Sequence, residues 1–135
     1  MPPVANATTR KRILIADDSR FLSKATETAL SRADFLVLLA ADGEEALRIS
    51  TAETPELILL DLIMPKLQGF EVLRQLKANA VTASIPVIVM STLGQEHDVE
   101  LALQLGAKDY LIKSALPLKE MIRRVERHLA VGTAA

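Results

Sequence analysis

Short, unbroken apolar runs alternate along this chain with longer stretches in which apolar residues recur every three or four positions. The runs are Ile13-Leu14-Ile15-Ala16, Phe35-Leu36-Val37-Leu38-Leu39-Ala40, Leu57-Ile58-Leu59-Leu60, Pro86-Val87-Ile88-Val89-Met90 and Tyr110-Leu111-Ile112. Runs of this length between turn residues predict strands covered on both faces, as in a parallel sheet. The periodic stretches predict helices. Leu22, Ala25 and Ala29 share one face; Ala46, Leu47 and Ile49 mark a second helix, Val72, Leu73 and Leu76 a third, and Val99, Ala102 and Leu103 a fourth. The fifth is the clearest, with Leu118, Met121, Ile122, Val125 and Leu129 at i, i+3, i+4, i+7 and i+11. Five strands alternating with five helices predict an α/β fold, a parallel sheet with helices on both faces.

Local signals punctuate that alternation. Asp18 or Ser19 can cap the first helix. Asp42 and Glu45 have the spacing of a capping box, with Asp in place of the usual Ser or Thr. Gly69 opens the third helix, and Gly106 is placed to end the fourth in the left-handed conformation. Met64 precedes Pro65 and is biased towards extended backbone, so Asp61 sits where a buried strand opens into a loop. Right-handed crossovers bring all the strand carboxyl ends to one edge. Ligands of open α/β sheets bind at that edge. Asp17 and Asp18, Asp61, Ser91 and Thr92, and Lys113 should therefore converge, whereas the second strand ends blandly in Ala40-Ala41.

Composition changes this picture little. A chain of 135 residues is one domain long enough for a real core. Residues 1–11 read as a flexible tail, 12–130 as the domain and 131–135 as a short C-terminal tail. The Arg10-Lys11-Arg12 triplet has no aromatic among it and reads as a solvated flank. The net charge of −1 implies no polyanion or membrane surface as partner. Without cysteine there is no disulfide or thiolate chemistry. The start lacks the pattern of a signal peptide, and no apolar run reaches membrane-spanning length, so a cytoplasmic protein is expected. His97 and His128 fall in helical segments away from the edge and read as surface residues.

The converging side chains carry the chemistry. Carboxylates about 4 Å apart repel by roughly 1 to 4 kcal/mol per pair, depending on the local dielectric. Such a cluster needs a compensating charge: Lys113, or a hard divalent cation. Oxygen ligands without His or Cys suit Mg²⁺. A metal, a free carboxylate, a hydroxyl and an ammonium together describe a phosphoryl site, since carboxylates can form acyl phosphates. Phosphoryl transfer needs positioning and charge neutralisation above all. In this reading Asp61 attacks and Asp17 and Asp18 hold the metal. Ser91 or Thr92 hydrogen-bonds one phosphoryl oxygen, and Lys113 pairs with another.

From about Arg12 to Leu129 the chain resembles the receiver domain of two-component response regulators. The resemblance rests on Asp17-Asp18 after the first strand, Asp61 after the third, Met64-Pro65, Gly69, Ser91 after the fourth, Tyr110 within the fifth and Lys113 at its end. Each is unspecific alone; the ordered set is very specific. It implies a doubly wound, flavodoxin-like sheet in the order 2-1-3-4-5, the order of the chemotaxis receiver. It also implies that Asp61 takes a phosphoryl group from a histidine kinase or phosphotransfer protein, with Mg²⁺ as cofactor. Asp18 and Asp61 would bind the metal directly, Asp17 mostly through water, and the main-chain carbonyl of Ile63 would complete the site. Ser91 and Tyr110 would act as the switch, changing the face formed by the fourth helix, fifth strand and fifth helix.

The chain departs from the family pattern in two respects. Ser114 stands where proline usually follows the lysine, often after a cis peptide, which costs about 2.5 to 4 kcal/mol before a non-proline residue. Ile63 and Leu93 are apolar at positions flanking the route of the attacking water, so slow self-dephosphorylation is expected. The chain ends soon after the fifth helix, so a single-domain regulator is expected: no enzyme, a monomer or weak dimer, passing its signal to a downstream protein and touching neither nucleic acid nor membrane. The rival readings are a receiver-like interaction module that is not phosphorylated, an aspartate-nucleophile phosphatase and an FMN carrier. The phosphatase would carry Asp-x-Asp rather than adjacent aspartates, and Asp17-Asp18 would repel the flavin phosphate.

Overall fold

The computed structural model describes residues 10–64, 66–92, 95–113 and 117–134, the side chains of 20–22 and 130–134 excepted. The apolar runs form β1 (Arg12–Ala16), β2 (Leu36–Ala40), β3 (Leu57–Leu60), β4 (Val87–Ser91) and β5 (Asp109–Ile112). The periodic stretches form α1 (Arg20–Arg32), α2 (Gly43–Glu53), α3 (Gly69–Ala78), α4 (Glu96–Gln104) and α5 (Leu118–Ala134). Every pairing is parallel and the order is β2-β1-β3-β4-β5, as the resemblance implied.

Because successive strand residues point to opposite faces, the sheet sorts its side chains into two cores. Leu14, Ile58, Leu60, Val87 and Val89 meet Ala46 of α2, Val72, Leu73 and Leu76 of α3, and Ala102 of α4. Ile13, Ile15, Leu57, Leu59, Ile88 and Leu111 meet Leu30 of α1 and Met121 and Val125 of α5. Every side chain of β3 is buried, as its unbroken run predicts. β2 is equally apolar but lies at the sheet edge, leaving Leu36 and Leu39 42% and 44% exposed.

The helix ends follow the local signals. Asp42 caps α2 by accepting from the Glu45 N–H at 2.8 Å. Glu45 reaches back to the N–H of Ala41 at 2.8 Å, one residue earlier than in the usual box. Gly106 takes φ +111°; its N–H donates to Leu103 and that of Ala107 to Ala102, which closes α4 as a Schellman turn. Asp34, at φ 73°, ends α1 in the same way, with the Phe35 N–H on Leu30.

Two expected boundaries shift. α5 continues to Ala134, so residues 131–134, expected as a tail, are helical. Lys11 accepts a hydrogen bond from the Leu36 N–H, tying the last tail position to the sheet. Pro65, Leu93 and the Lys113–Ser114 peptide lie outside the described residues. Among those described, no helix is long and apolar enough to cross a membrane.

Candidate functional site

The backbone ladder builds the site. One residue beyond β1, the Asp17 N–H donates to Ala40 of β2 at 3.0 Å; one beyond β3, the Asp61 N–H donates to Ala16 at 2.9 Å; one beyond β5, the Lys113 N–H donates to Ser91 at 2.9 Å. Each of the three is thus held by a last rung between adjacent strands. Each also continues an alternation: Ile13, Ile15, Asp17; Leu57, Leu59, Asp61; Leu111, Lys113. All three emerge on the sheet face covered by α1 and α5, and there they meet. Lys113 Nζ lies 2.7 Å from Asp17 Oδ2 and 3.2 Å from Asp61 Oδ2.

Carboxylate oxygens of Asp17, Asp18 and Asp61 all lie within 4.8 Å of one another. Asp61 is only 6% exposed, Asp17 is half-buried and Asp18 is exposed. Asp17 Oδ1 accepts from the Ser19 N–H at 2.9 Å, and Asp61 Oδ1 accepts from the Ile63 N–H at 3.2 Å. Burial pushes the Asp61 carboxyl above its ordinary value, the Ile63 N–H and the Lys113 charge pull it down, Asp17 pushes it up again, and the net shift is upward. Lys113 moves upward too: its burial disfavours the ammonium, but Asp17 and Asp61 outweigh that.

With the three carboxylates ionised, Lys113 neutralises one charge and leaves two in excess. A divalent cation supplies that difference, and the donors suit Mg²⁺ by being all oxygen. Oxygens within 4.8 Å of one another are close enough to share one such ion, and Asp17, Asp18 and Asp61 would hold it. The residues present fit the ion.

Ser91 ends β4 fully buried, whereas Thr92 is exposed. By the strand alternation Ser91 and Tyr110 belong to the opposite face, with Val89. The Tyr110 hydroxyl shares a hydrogen bond with Ser91. Burial raises the phenol pKa, the Ser91 hydrogen bond lowers it, the charges of Asp98 and Asp61 raise it, and the net shift is upward.

Two arrangements escaped the sequence reading. His128, expected at the surface, is half-buried and stands 3.1 Å from Asp109 Oδ2. Arg124 Nη1 donates to both oxygens of the same carboxylate at 3.1 and 2.9 Å, and Arg127 approaches at 3.7 Å. Arg124, Arg127 and His128 at i, i+3 and i+4 were the available signal. His97 is exposed, as expected. The other arrangement is the contact of α2 with the loop after Asp61, where a Cβ on Gly43 would stand 2.2 Å from the Leu67 carbonyl oxygen.

Comparison with known proteins agrees with this geometry. The profile described as the response regulator receiver domain matches residues 13–126. A probable transcriptional regulator, ycf27, of Cyanophora paradoxa is 39% identical over 123 residues, covering 87% of this chain and 50% of that protein. This chain spans about half the length of the curated relatives of that kind. The receiver domain of the Francisella response regulator 1452 superposes with a TM-score of 0.85 at 28% identity, covering 91% of this chain and 99% of that one. The CheX–CheY–BeF₃–Mg²⁺ complex from Borrelia burgdorferi contains a chain with a TM-score of 0.79 at 31% identity, covering 85% of this chain and 86% of that one. Sheet order, the acidic edge and a profile match over most of the chain lead to one assignment: this protein belongs to the response regulator receiver domain family of two-component signalling.

Proposed function

We propose that this chain accepts a phosphoryl group on Asp61 from a histidine of a partner kinase or phosphotransfer protein, and signals through the face formed by α4, β5 and α5. The observation that carries this reading is the meeting of three carboxylates and one ammonium at the sheet edge. An Asp61 carboxylate oxygen attacks phosphorus; as the new P–O bond forms, the P–N bond breaks and the imidazole leaves. Lys113, already 3.2 Å from Asp61, neutralises charge on a phosphoryl oxygen. Asp17, Asp18, Asp61 and the main-chain oxygen of Ile63 would hold Mg²⁺, which supplies further neutralisation when bound. The related CheX–CheY–BeF₃–Mg²⁺ complex from Borrelia burgdorferi supports both the ion and the acceptor role.

The Ser91 hydroxyl links the site to its output. Drawn towards a phosphoryl oxygen, it changes its bond with Tyr110, the aromatic of β5. Leu101 and Leu103 of α4 stand exposed on that helix, apolar positions open to a protein partner. The transcriptional-regulator names of longer relatives make a DNA-binding effector the first candidate for what this face controls. The near-neutral receiver would itself leave nucleic acid untouched. Residues 12–130 are proposed as the independent unit. Ile63, 53% exposed beside the acceptor, offers no polar group to orient an attacking water, so the phosphoryl group should persist well beyond seconds.

Incubation with acetyl phosphate and Mg²⁺, followed by intact mass, tests the reading. One phosphoryl adduct that vanishes in Asp61→Asn, and without metal, is expected. No adduct on the native chain would leave an inert interaction module, and rapid turnover of unrelated phosphate esters would indicate a phosphatase.

A further inference from the structure

We propose that Gly43 and Asp42, at the start of α2, are positioning residues for the acceptor loop, holding the segment that carries Ile63 in register with Asp61; this rests on Asp61 being a metal-dependent acceptor. The loop between β3 and α3 leaves Asp61 and returns at Gly69. Its return is fixed: the Gly69 N–H donates to the Leu62 carbonyl at 2.9 Å, and a Cβ on Gly69 would stand 2.4 Å from both the Asp61 oxygen and the Leu62 Cα. Between those ends Lys66 adopts φ 70°, a left-handed conformation that a residue with a side chain holds only when its surroundings require it.

What holds the middle of the loop is α2. Gly43 is buried as the first residue of that helix, and its φ lies outside the left-handed range, so the backbone does not call for glycine there. Space does: a Cβ would stand 2.2 Å from the Leu67 carbonyl oxygen and 2.6 Å from the Leu67 Cβ. The helix rests directly on loop backbone, which cannot swing aside as a side-chain tip can. Asp42 adds a second hold. One of its oxygens caps α2 at the Glu45 N–H, and the other lies 3.5 Å from Lys66 Nζ. Capping needs only the first of these. A single carboxylate thus joins the helix start to the strained residue of the loop.

The consequence reaches the site because the loop cannot yield at Gly69. Widening the 2.2 Å approach to the 3.0 Å that real Cβ contacts require moves helix and loop apart by at least 0.8 Å. Ligand sets tolerate about 0.5 Å, and losing an outer support typically costs about 10- to 100-fold in metal affinity. The clamp therefore acts on the metal and the phosphoryl group through Ile63, touching neither.

Three variants test this: Gly43→Ala, Asp42→Asn, which keeps an oxygen for the Glu45 N–H but loses its charge on Lys66, and Gly106→Ala. The last strains a φ of +111° far from the loop and serves as a control for destabilisation alone. Mn²⁺ titration followed by the electron paramagnetic resonance of the free ion reads metal affinity without any reaction. Acetyl phosphate with Mg²⁺ and intact mass reads the phosphorylation rate, and urea unfolding reads stability. Gly43→Ala should bind Mn²⁺ about tenfold more weakly and react about 10- to 100-fold more slowly. Asp42→Asn should show about a two- to threefold loss, because Lys66 is largely exposed and that pair is weak. Gly106→Ala should lose stability and keep its metal affinity. If Gly43→Ala binds Mn²⁺ like the native chain, or Gly106→Ala weakens it equally, positioning is refuted. If Gly43→Ala does not fold, Asp42→Asn with native affinity refutes it as well. A native chain that takes no phosphoryl group, while the Mn²⁺ differences hold, overturns the acceptor role and leaves the clamp standing.

Discussion

Asp61→Asn should make the metal-free protein more stable although it removes a charge paired with Lys113. At an effective dielectric near 20, the contact with Lys113 at 3.2 Å is worth about 5 kcal/mol of attraction. Repulsion from Asp17, within 4.8 Å, comes to about 3.5 kcal/mol on the same scale, and that from exposed Asp18, screened by water, to about 1 kcal/mol. These nearly cancel, so burial decides. A carboxylate that is 6% exposed carries a desolvation cost of up to several kcal/mol. An amide in its place still accepts from the Ile63 N–H, and Lys113 keeps Asp17 at 2.7 Å. A net gain of about 1–2 kcal/mol follows, a rise of about 0.5–1 M in the urea midpoint for a domain of this size. The assay is equilibrium unfolding at pH 7 in EDTA, repeated with Mg²⁺. At ten times its dissociation constant the ion adds about 1.4 kcal/mol to the native chain. It should add less to the variant, so the gap narrows or reverses. A variant less stable than the native chain in EDTA, or equal shifts in both with Mg²⁺, would refute the reasoning.

Further outcomes follow from other groups. Asp109→Asn leaves Arg124, Arg127 and His128 facing an amide and should cost about 1–2 kcal/mol in urea unfolding. Burial raises the Asp109 pKa, but hydrogen bonds from His128, Arg124 and the Tyr110 N–H outweigh it and hold the carboxyl below its ordinary value. Its stabilisation is therefore complete above about pH 4 and lost as pH falls through the depressed folded value, so the native and variant midpoints should converge on acidification. Ser50, fully buried in α2, has a hydroxyl with no hydrogen-bond partner among the described residues, so Ser50→Ala should stabilise by about 1 kcal/mol; a loss of that size in thermal unfolding would mean the hydroxyl has a partner. Once phosphorylated and freed of acetyl phosphate, the chain held with Mg²⁺ and followed by intact mass should keep most of its adduct for minutes, and loss within seconds would show that Ile63 does not limit water.

The parts legible in the sequence are those written in neighbouring residues. The Leu57–Leu60 run, its stop at Asp61, the Gly106 turn and the five strand ends are all local patterns, and parallel topology with one crossover hand sent those ends to one edge. Leu36 and Leu39 show where that reasoning stops. Their run reads like β3, but composition does not distinguish an edge strand from a central one. Gly43 was opaque for another reason. In sequence it is a poor helix residue, and its partner Leu67 lies 24 positions away across two elements. The Asp109 cluster lay between: the basic residues on one face of α5 were visible, but not the carboxylate they turn towards.

The ladder rungs that seat Asp17, Asp61 and Lys113 make competence in signalling a property of strand alignment. Because side chains alternate, slipping β3 by one residue against β1 would turn Asp61 to the side of α2 and α3 while leaving an apolar run free to bury itself. A chain trapped in that arrangement would look folded by its helix content yet be deaf to its kinase. With Asp61 as the proposed acceptor, phospho-acceptance would report on correct folding more sharply than any measure of secondary structure.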